Sequence, residues 1–235
     1  MELIVIQYRF SFNGGKQGSY NLQLDSETLD LQDHSPASFP PWADLHFHQC
    51  PHCTLRPEES PRCPLATHLV CMVNRFRHLL SYEEVYLDVI MRERVISHHT
   101  TMERALGSLM GLVMAASGCP YTAFFKPMAR FHLPLASKEE TAYRAASMYM
   151  LAQHYRKEEG LPSDLDFEGL IDIYRNVETM NMAVTERLRA APDSEFAVNA
   201  LIFLDLYAKT MPYRINQYLA GLRRIFKPYL EPFPT

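Results

Sequence analysis

Alternating apolar and polar residues at the start of the chain predict a β-hairpin. The alternation runs from Glu2 to Phe12 and again from Tyr20 to Leu31, which is the period of a strand buried on one face. The turn sequence NGGKQG, residues 13–18, stands between the two runs, and Asn-Gly is a strong hairpin signal. A third alternating run, Glu84 to Ile96, predicts one long strand that pairs with the hairpin.

Most of the remaining apolar residues recur at the three- and four-residue spacing of amphipathic helices. This spacing predicts one helix from Leu65 to about Leu80 and a series of helices after residue 100. Ser137 and Glu140 have the spacing of a helix capping box. The predicted series occupies about 101–117, 138–159, 165–190 and 194–209, and its last helix begins at Pro212.

These elements predict an α+β fold, with a small antiparallel sheet first and a helical half after it. A proline- and serine-rich connector, residues 34–42, leads from the hairpin to a segment rich in cysteine and histidine. Two organisations are compatible with the pattern. Either residues 1–100 form an α+β part and residues 101–235 a helical part, or the chain is one compact unit.

Composition and charge narrow the range of functions. Apolar residues make up 47% of the 235 residues, and the net charge is −4, whereas proteins that neutralise nucleic-acid phosphates carry a basic excess. We therefore expect no nucleic-acid partner. The short basic clusters 187–189 and 223–227 are typical of solvated helix faces.

Nothing in the sequence predicts a membrane segment or a secretion signal. The N-terminal apolar residues alternate with polar ones instead of forming an unbroken apolar core. The longest apolar run, Leu109 to Ala116, is far shorter than the ~20 residues that span a bilayer. We expect a cytoplasmic protein.

The segment HFHQCPHC, residues 46–53, predicts a zinc site. Cys50 and Cys53 have the two-residue gap that lets both sulfurs reach one metal ion, and Cys63 follows ten residues later. His48 would complete a Cys3His set, with His46 and His68 as alternative fourth ligands. A loop with little apolar content gains its order from such a structural metal.

Two other uses of these cysteines are open. A thiol oxidoreductase would need a helix directly after Cys50, but prolines at positions 57, 61 and 64 disfavour one. Catalytic zinc would need an open coordination position and a nearby acid or base. The remaining cysteines, Cys71 and Cys119, are predicted to be structural thiols.

A second candidate site lies in residues 126–144. Arg130 and His132, two apart in a segment predicted to be extended, would share a face. Glu140 and Arg144, four apart on the next helix, can form a pair. The four side chains could bind a ligand or carry out acid–base chemistry, or they could form a buried ion-pair network that joins the two halves.

Several segments resemble an uncharacterised bacterial protein family that carries only a domain-of-unknown-function label. They are FHQCPHC…PRCPLA, SLMGLVMAASGCP, PMARFHLPLAS followed by EETAYRA, and NALIFLDLYA. The resemblance implies a stand-alone, cytoplasmic, bacterial protein and assigns no catalytic or ligand residues.

Three functions follow as hypotheses. The first is a zinc-stabilised binding or regulatory protein, possible as a homo-oligomer, that acts through a protein or small-molecule partner. The second is an enzyme that uses Arg130, His132, Glu140 and Arg144 in a pocket of the helical half. The third is a thiol–disulfide oxidoreductase that acts through Cys50 and Cys53. A pocket with converging polar groups would separate the first two hypotheses.

Overall fold

A computed structural model describes residues 2–32, 36 and 38–231. Its sheet has the order β2-β1-β3-β4, with all neighbours antiparallel. The strands are β1 (Leu3–Phe12), β2 (Gln17–Asp25), β3 (Glu84–Ile90) and β4 (Val95–Thr101). The α+β prediction is therefore confirmed. Part of the predicted 34–42 connector lies outside the described residues.

The predicted hairpin is present, and its turn requires glycine. Gly14 and Gly15 have φ angles of 85° and 82°, in the left-handed region that glycine adopts without steric cost. The alternation also assigns the faces correctly. Ile6, Tyr8 and Phe10 on β1 are buried, as are Leu22 and Leu24 on β2.

The predicted long strand from Glu84 to Ile96 is wrong, because the chain turns back within it. The backbone N–H of Met91 bonds to the carbonyl of Arg94 at 2.9 Å, which closes a tight turn between β3 and β4. Alternation continues through this turn, and the charged sequence Arg92-Glu93-Arg94 was the only local sign of it.

The helices cover one face of the sheet and then extend away from it. The α-helices are α1 (Pro64–Phe76), α2 (Met102–Ala115), α3 (Lys126–Arg130), α4 (Lys138–Glu158), α5 (Glu168–Arg189), α6 (Glu195–Leu222) and α7 (Lys227–Leu230). Three single-turn 3-10 helices occupy Pro41–Ala43, Ala123–Phe125 and Arg223–Phe226.

The predicted break in the helices before Pro212 is also wrong, since α6 continues through this proline. Proline inside a helix costs about 3 kcal/mol. Met211 and Ile215, on either side, are buried in a cluster with residues of α4 and α5. Their burial offsets the cost of the proline, because a fully buried large apolar side chain contributes about 1.5–3 kcal/mol.

The main core combines side chains of the N-terminal sheet with side chains of the helices that follow it. It contains residues of β1, β2 and β3, of α1 and α2, and of the first turns of α6. The rings of Phe10 and Phe196 both pack against Phe76, with centroids 5.3 and 6.5 Å away. Phe196, in the first turn of α6, therefore packs over the N-terminal sheet.

Glycine at position 169 allows a polar anchor to form at the start of α5. Tyr149 on α4 donates a hydrogen bond of 2.7 Å to the Asp164 carboxylate, which also accepts one from the Gly169 N–H at 2.9 Å. A Cβ atom on residue 169 would overlap the Tyr149 hydroxyl oxygen. Only glycine fits here without displacing this tyrosine.

We predict opposite effects for two glycine-to-alanine substitutions in helices. Gly169→Ala should lower the free energy of unfolding by about 1–3 kcal/mol, the usual cost of overpacking. Gly221→Ala, near the end of α6 with open space around it, should be neutral or stabilising by about 0.5–1 kcal/mol. Urea unfolding of both variants checks this, and equal effects would contradict the packing at Gly169.

Candidate functional sites

The cysteine-rich segment, residues 44–63, forms a loop whose two ends are paired. We refer to it as the thiol loop. Asp44 and Arg62 form an isolated β-bridge, and the Leu45 N–H bonds to the Pro61 carbonyl at 3.0 Å. A turn in the middle places the Cys53 N–H 2.9 Å from the Cys50 carbonyl. The next helix begins only at Pro64, so the loop lacks the helix at Cys50 that an oxidoreductase would need.

The thiols of the loop face the protein core. Cys50 and Cys63 are half-buried and pack against the main core, and Cys119, which follows α2, is buried within it. Burial, together with nearby Cys63, Cys119 and Cys53, raises the pKa of Cys50 to about 12. Four cysteines thus share one neighbourhood, and without a metal Cys50 is a protonated thiol at neutral pH.

The histidines of the loop have different surroundings. His46 and His48 are exposed, and the ring of His48 rests edge-on against Phe47 with centroids 4.9 Å apart. His52 is packed inward, with its ring centroid 4.1 Å from that of Tyr121. The Tyr121 hydroxyl donates to the His52 carbonyl. His68, the other predicted alternative ligand, is half-buried on α1 beside a surface cleft that Cys71 also lines.

Across residues 2–32, 36 and 38–231, no three His, Cys, Asp or Glu side chains have their donor atoms arranged around one point as metal ligands. The predicted set Cys50, Cys53, Cys63 and His48 is therefore not assembled by the side-chain positions as they stand. Zinc in the thiol loop stays a prediction.

A buried arginine connects the thiol loop to α5. Arg187 is only 2% exposed, which corrects the prediction that it lies on a solvated helix face. It donates to the carbonyls of Trp42, Asp44 and Leu45 at 2.9, 2.7 and 2.8 Å. No carboxylate in the described part of the chain pairs with it. A full positive charge is thus held by backbone dipoles alone, next to the loop that carries the cysteines.

The helical half contains a cavity of about 220 Å³ between α2, α3, α4, α5 and α6. Its wall is mostly apolar, with Leu112, Met128, Val177 and Leu204 among its side chains. Gly107 and Gly111 on α2 let α6 approach closely, since Cβ atoms there would lie 3.3 Å from Phe203 and 3.4 Å from Leu204. Apolar cavities with a few polar groups are the usual form of small-molecule sites.

Two of the four predicted ligand-binding residues, His132 and Arg144, line this cavity. The Tyr8 hydroxyl lies 2.6 Å from His132 Nε2. Burial, together with the charge of Arg144, lowers the pKa of His132 to about 3. Burial also raises the pKa of Tyr8, so the phenol donates to a neutral imidazole. Arg144 Nη2 donates to the carbonyls of Met128 and Phe131, both at 2.9 Å.

The other two predicted residues, Arg130 and Glu140, are not among the residues that line the cavity. The prediction that the chain is extended at Arg130 is wrong. Arg130 belongs to the short helix α3 and is exposed against the ring of Phe131. Glu140 accepts from the Ser137 N–H at 2.8 Å in the predicted capping box. The four side chains therefore do not form one cluster.

Sequence reasoning missed the most informative polar group of the cavity, Asn181 on α5. Its Nδ2 donates to Asp205 Oδ1 at 3.1 Å, and Asp205 also pairs with Lys209 at 2.6 Å. This contact assigns the amide orientation, because an amide oxygen would repel the carboxylate. Asn181 is 1% exposed, and its Oδ1 has no hydrogen-bond partner among the described residues. An asparagine inside an apolar helix face was its only sequence signal.

A family model named domain of unknown function DUF6901 matches residues 6–227. The chain belongs to this family. Membership in DUF6901 confirms the predicted resemblance to an uncharacterised family and assigns no activity. No curated protein and no solved structure matches the DUF6901 chain. Among its described residues, none of the helices is both long and apolar enough to cross a bilayer.

We predict that Arg187 is one of the most stabilising side chains of this DUF6901 protein. Arg187→Met keeps the apolar stem and leaves three buried carbonyls unpaired, which should cost about 3–5 kcal/mol of unfolding free energy. The control is Arg189→Met, because exposed Arg189 pairs with Glu186 one turn away, and its loss should cost at most about 0.5 kcal/mol. Chemical denaturation measures both. Similar losses would contradict the buried position of Arg187.

A second prediction concerns pH. The unfolded His132 binds a proton near pH 6.5 and the folded one only near pH 3. The folded state is therefore stabilised above pH 6.5 and loses this contribution as the pH falls towards 3. Between pH 7 and 4.5, the wild type should lose on the order of 2 kcal/mol more than His132→Gln. His98→Gln on exposed β4 is the control and should follow the wild type.

Proposed function

We propose that the chain is a zinc-stabilised cytoplasmic protein that binds a small, mostly apolar molecule in the helical cavity. The observation that carries this proposal is that the Oδ1 of Asn181, a residue in the mostly apolar wall, has no partner among the described residues. A buried carbonyl oxygen without a partner costs about 1–3 kcal/mol. A ligand N–H or O–H group would recover that cost.

The size and charge of the cavity define the ligand class. A cavity of 150 Å³ holds a benzene molecule, so about 220 Å³ is suited to a molecule with one or two small rings. Arg104 and Arg144 are the charged residues among those that line the cavity in the described structure, and no carboxylate is among them. The ligand is therefore neutral or anionic and carries a hydrogen-bond donor.

The polar groups near the cavity support binding more than catalysis. His132 is engaged by Tyr8, Arg144 by two carbonyls, and Glu140 by its own helix start. These side chains form hydrogen bonds with other groups of the protein, whereas a general acid or base must reach the substrate. This arrangement favours the binding hypothesis over the enzyme hypothesis.

A small-molecule ligand is also favoured over a protein partner. A groove beside α4 is lined by exposed Phe131, Tyr143 and Tyr155, and an exposed apolar surface of this kind is the type that proteins bind. None of the buried, unpartnered side-chain atoms in the described part of the chain lines it. Asn181, whose Oδ1 is unsatisfied, thus lines the cavity and not the groove.

We predict that the purified protein distinguishes indole from 1-benzothiophene, which has the same shape and no N–H group. Indole should bind roughly tenfold tighter, the effect of one net hydrogen bond of about 1.4 kcal/mol. Calorimetric or NMR titration of the two compounds measures this ratio. Equal affinities, or no binding of either compound, would contradict the role of Asn181 Oδ1.

Matched variants on α5 locate the binding. Val177→Phe places a larger ring in the cavity and should abolish indole binding. Met182→Phe adds a similar ring at a side chain that is 57% exposed and should leave binding unchanged. Circular dichroism of both variants controls for folding. Indole binding that survives in folded Val177→Phe would place the ligand outside the cavity.

A further inference from the structure

The backbone brings Cys119 to the thiol loop at two independent contacts. On one side, Gly118 lies against Pro64, since a Cβ atom on Gly118 would lie 3.9 Å from the Cβ of Pro64. The neighbours of these residues in sequence are Cys119 and Cys63. On the other side, Tyr121 packs on His52 and bonds to its carbonyl. His52 lies between Cys50 and Cys53 in the turn of the loop.

The two cysteine turns have the same construction. Cys50 and Cys119 are each followed by proline, which restricts the backbone. The Cys50 carbonyl accepts from the N–H of Cys53 at 2.9 Å, and the Cys119 carbonyl accepts from the N–H of Thr122 at 3.2 Å. Cys63, also followed by proline, is held by its own N–H, which bonds to the Ala43 carbonyl at 2.9 Å. Each cysteine backbone is thus anchored before any metal is present.

The charge of Arg187 is a third observation, independent of the contacts and turns of the cysteine backbone. Among the described residues, Arg187 is buried without a carboxylate partner, and it donates to the Leu45 carbonyl at the start of the thiol loop. Three carbonyl dipoles accept hydrogen bonds from its guanidinium but leave its net charge uncompensated. A zinc ion with four thiolates has a net charge of −2. Such a group beside Arg187 would supply the missing negative charge.

We propose that Cys50, Cys53, Cys63 and Cys119 bind one structural zinc ion as a tetrathiolate site, with Arg187 offsetting its negative charge. Cys119 takes the position that the sequence pattern gave to His48. Binding converts four thiols to thiolates and releases four protons as the zinc enters. The four side chains do not converge on one point as they stand, so zinc binding requires their rotation until each sulfur lies about 2.3 Å from the metal.

His48 fits this role less well than Cys119. Its side chain is exposed and rests on Phe47, and its backbone has a φ of 43° in the left-handed region. Cys119 is buried in the core, beside the half-buried Cys50 and Cys63. A structural zinc site takes all four of its ligands from the protein, and Cys119 can supply the fourth. The proposed zinc site therefore connects the loop to the end of α2.

The first experiment counts thiolates in the wild-type chain without a histidine tag. Metal analysis should find about one zinc per chain, and cobalt replacement should give the intense, long-wavelength visible bands of a tetrahedral tetrathiolate site. Mass spectrometry after alkylation should then show four protected cysteines that become reactive when a chelator is added. Cys71 should react equally with and without metal. Absence of stoichiometric zinc and cobalt binding would overturn the proposal.

Variants identify the fourth ligand. Cys119→Ser should weaken zinc affinity by at least about 100-fold, more than the 10–100-fold effect of losing an outer-shell partner. His48→Ala and Cys71→Ser should leave both affinity and the cobalt spectrum unchanged. A shifted spectrum in His48→Ala, or equal alkylation of wild-type Cys119 with and without metal, would overturn the assignment of Cys119. The wild-type alkylation decides the question even if Cys119→Ser does not fold.

Discussion

The structure depends on one buried cation that is satisfied by backbone alone. Arg187 collects three carbonyls from residues 42–45, which end a 3-10 turn and begin the thiol loop. These partners are 142 to 145 residues away in sequence, so the position of the loop depends on a contact with a distant part of the chain. A guanidinium suits this role, because its planar fork of donors can serve several acceptors at once and stays charged when buried.

A second buried polar contact also joins the N-terminal half of the chain to the helical half. Tyr8 on β1 meets His132, which follows α3, and the Ser108 hydroxyl on α2 lies 3.1 Å from the same phenol. Apolar packing alone would tolerate small shifts between the sheet and the helices. Directional hydrogen bonds in a low-dielectric interior are less tolerant, since a misplaced partner leaves a buried group unpaired. Arg187 and Tyr8 thereby define how the helical half sits on the sheet.

Local patterns predicted the features that local physics controls. Alternation predicted the hairpin faces, and the Ser137–Glu140 spacing predicted a capping box that is present. Alternation could not reveal the turn at Met91–Arg94, because the period of two continues across it. The pattern also gave no sign that Arg187 is buried or that Cys119 lies near Cys63, since both depend on contacts between distant segments. Asn181 was missed for the same reason, as its importance comes from a cavity that five helices build together.

Helix α5 contributes residues both to the wall of the cavity and to the contact with the thiol loop. Tyr174, Val177 and Asn181 line the cavity, and Arg187 bonds to the carbonyls at the start of the thiol loop. Any change that releases the loop from Arg187 also removes a restraint on the helix that forms one wall of the cavity. The thiol loop and the cavity therefore share a structural element, although no ligand of one needs to touch the other.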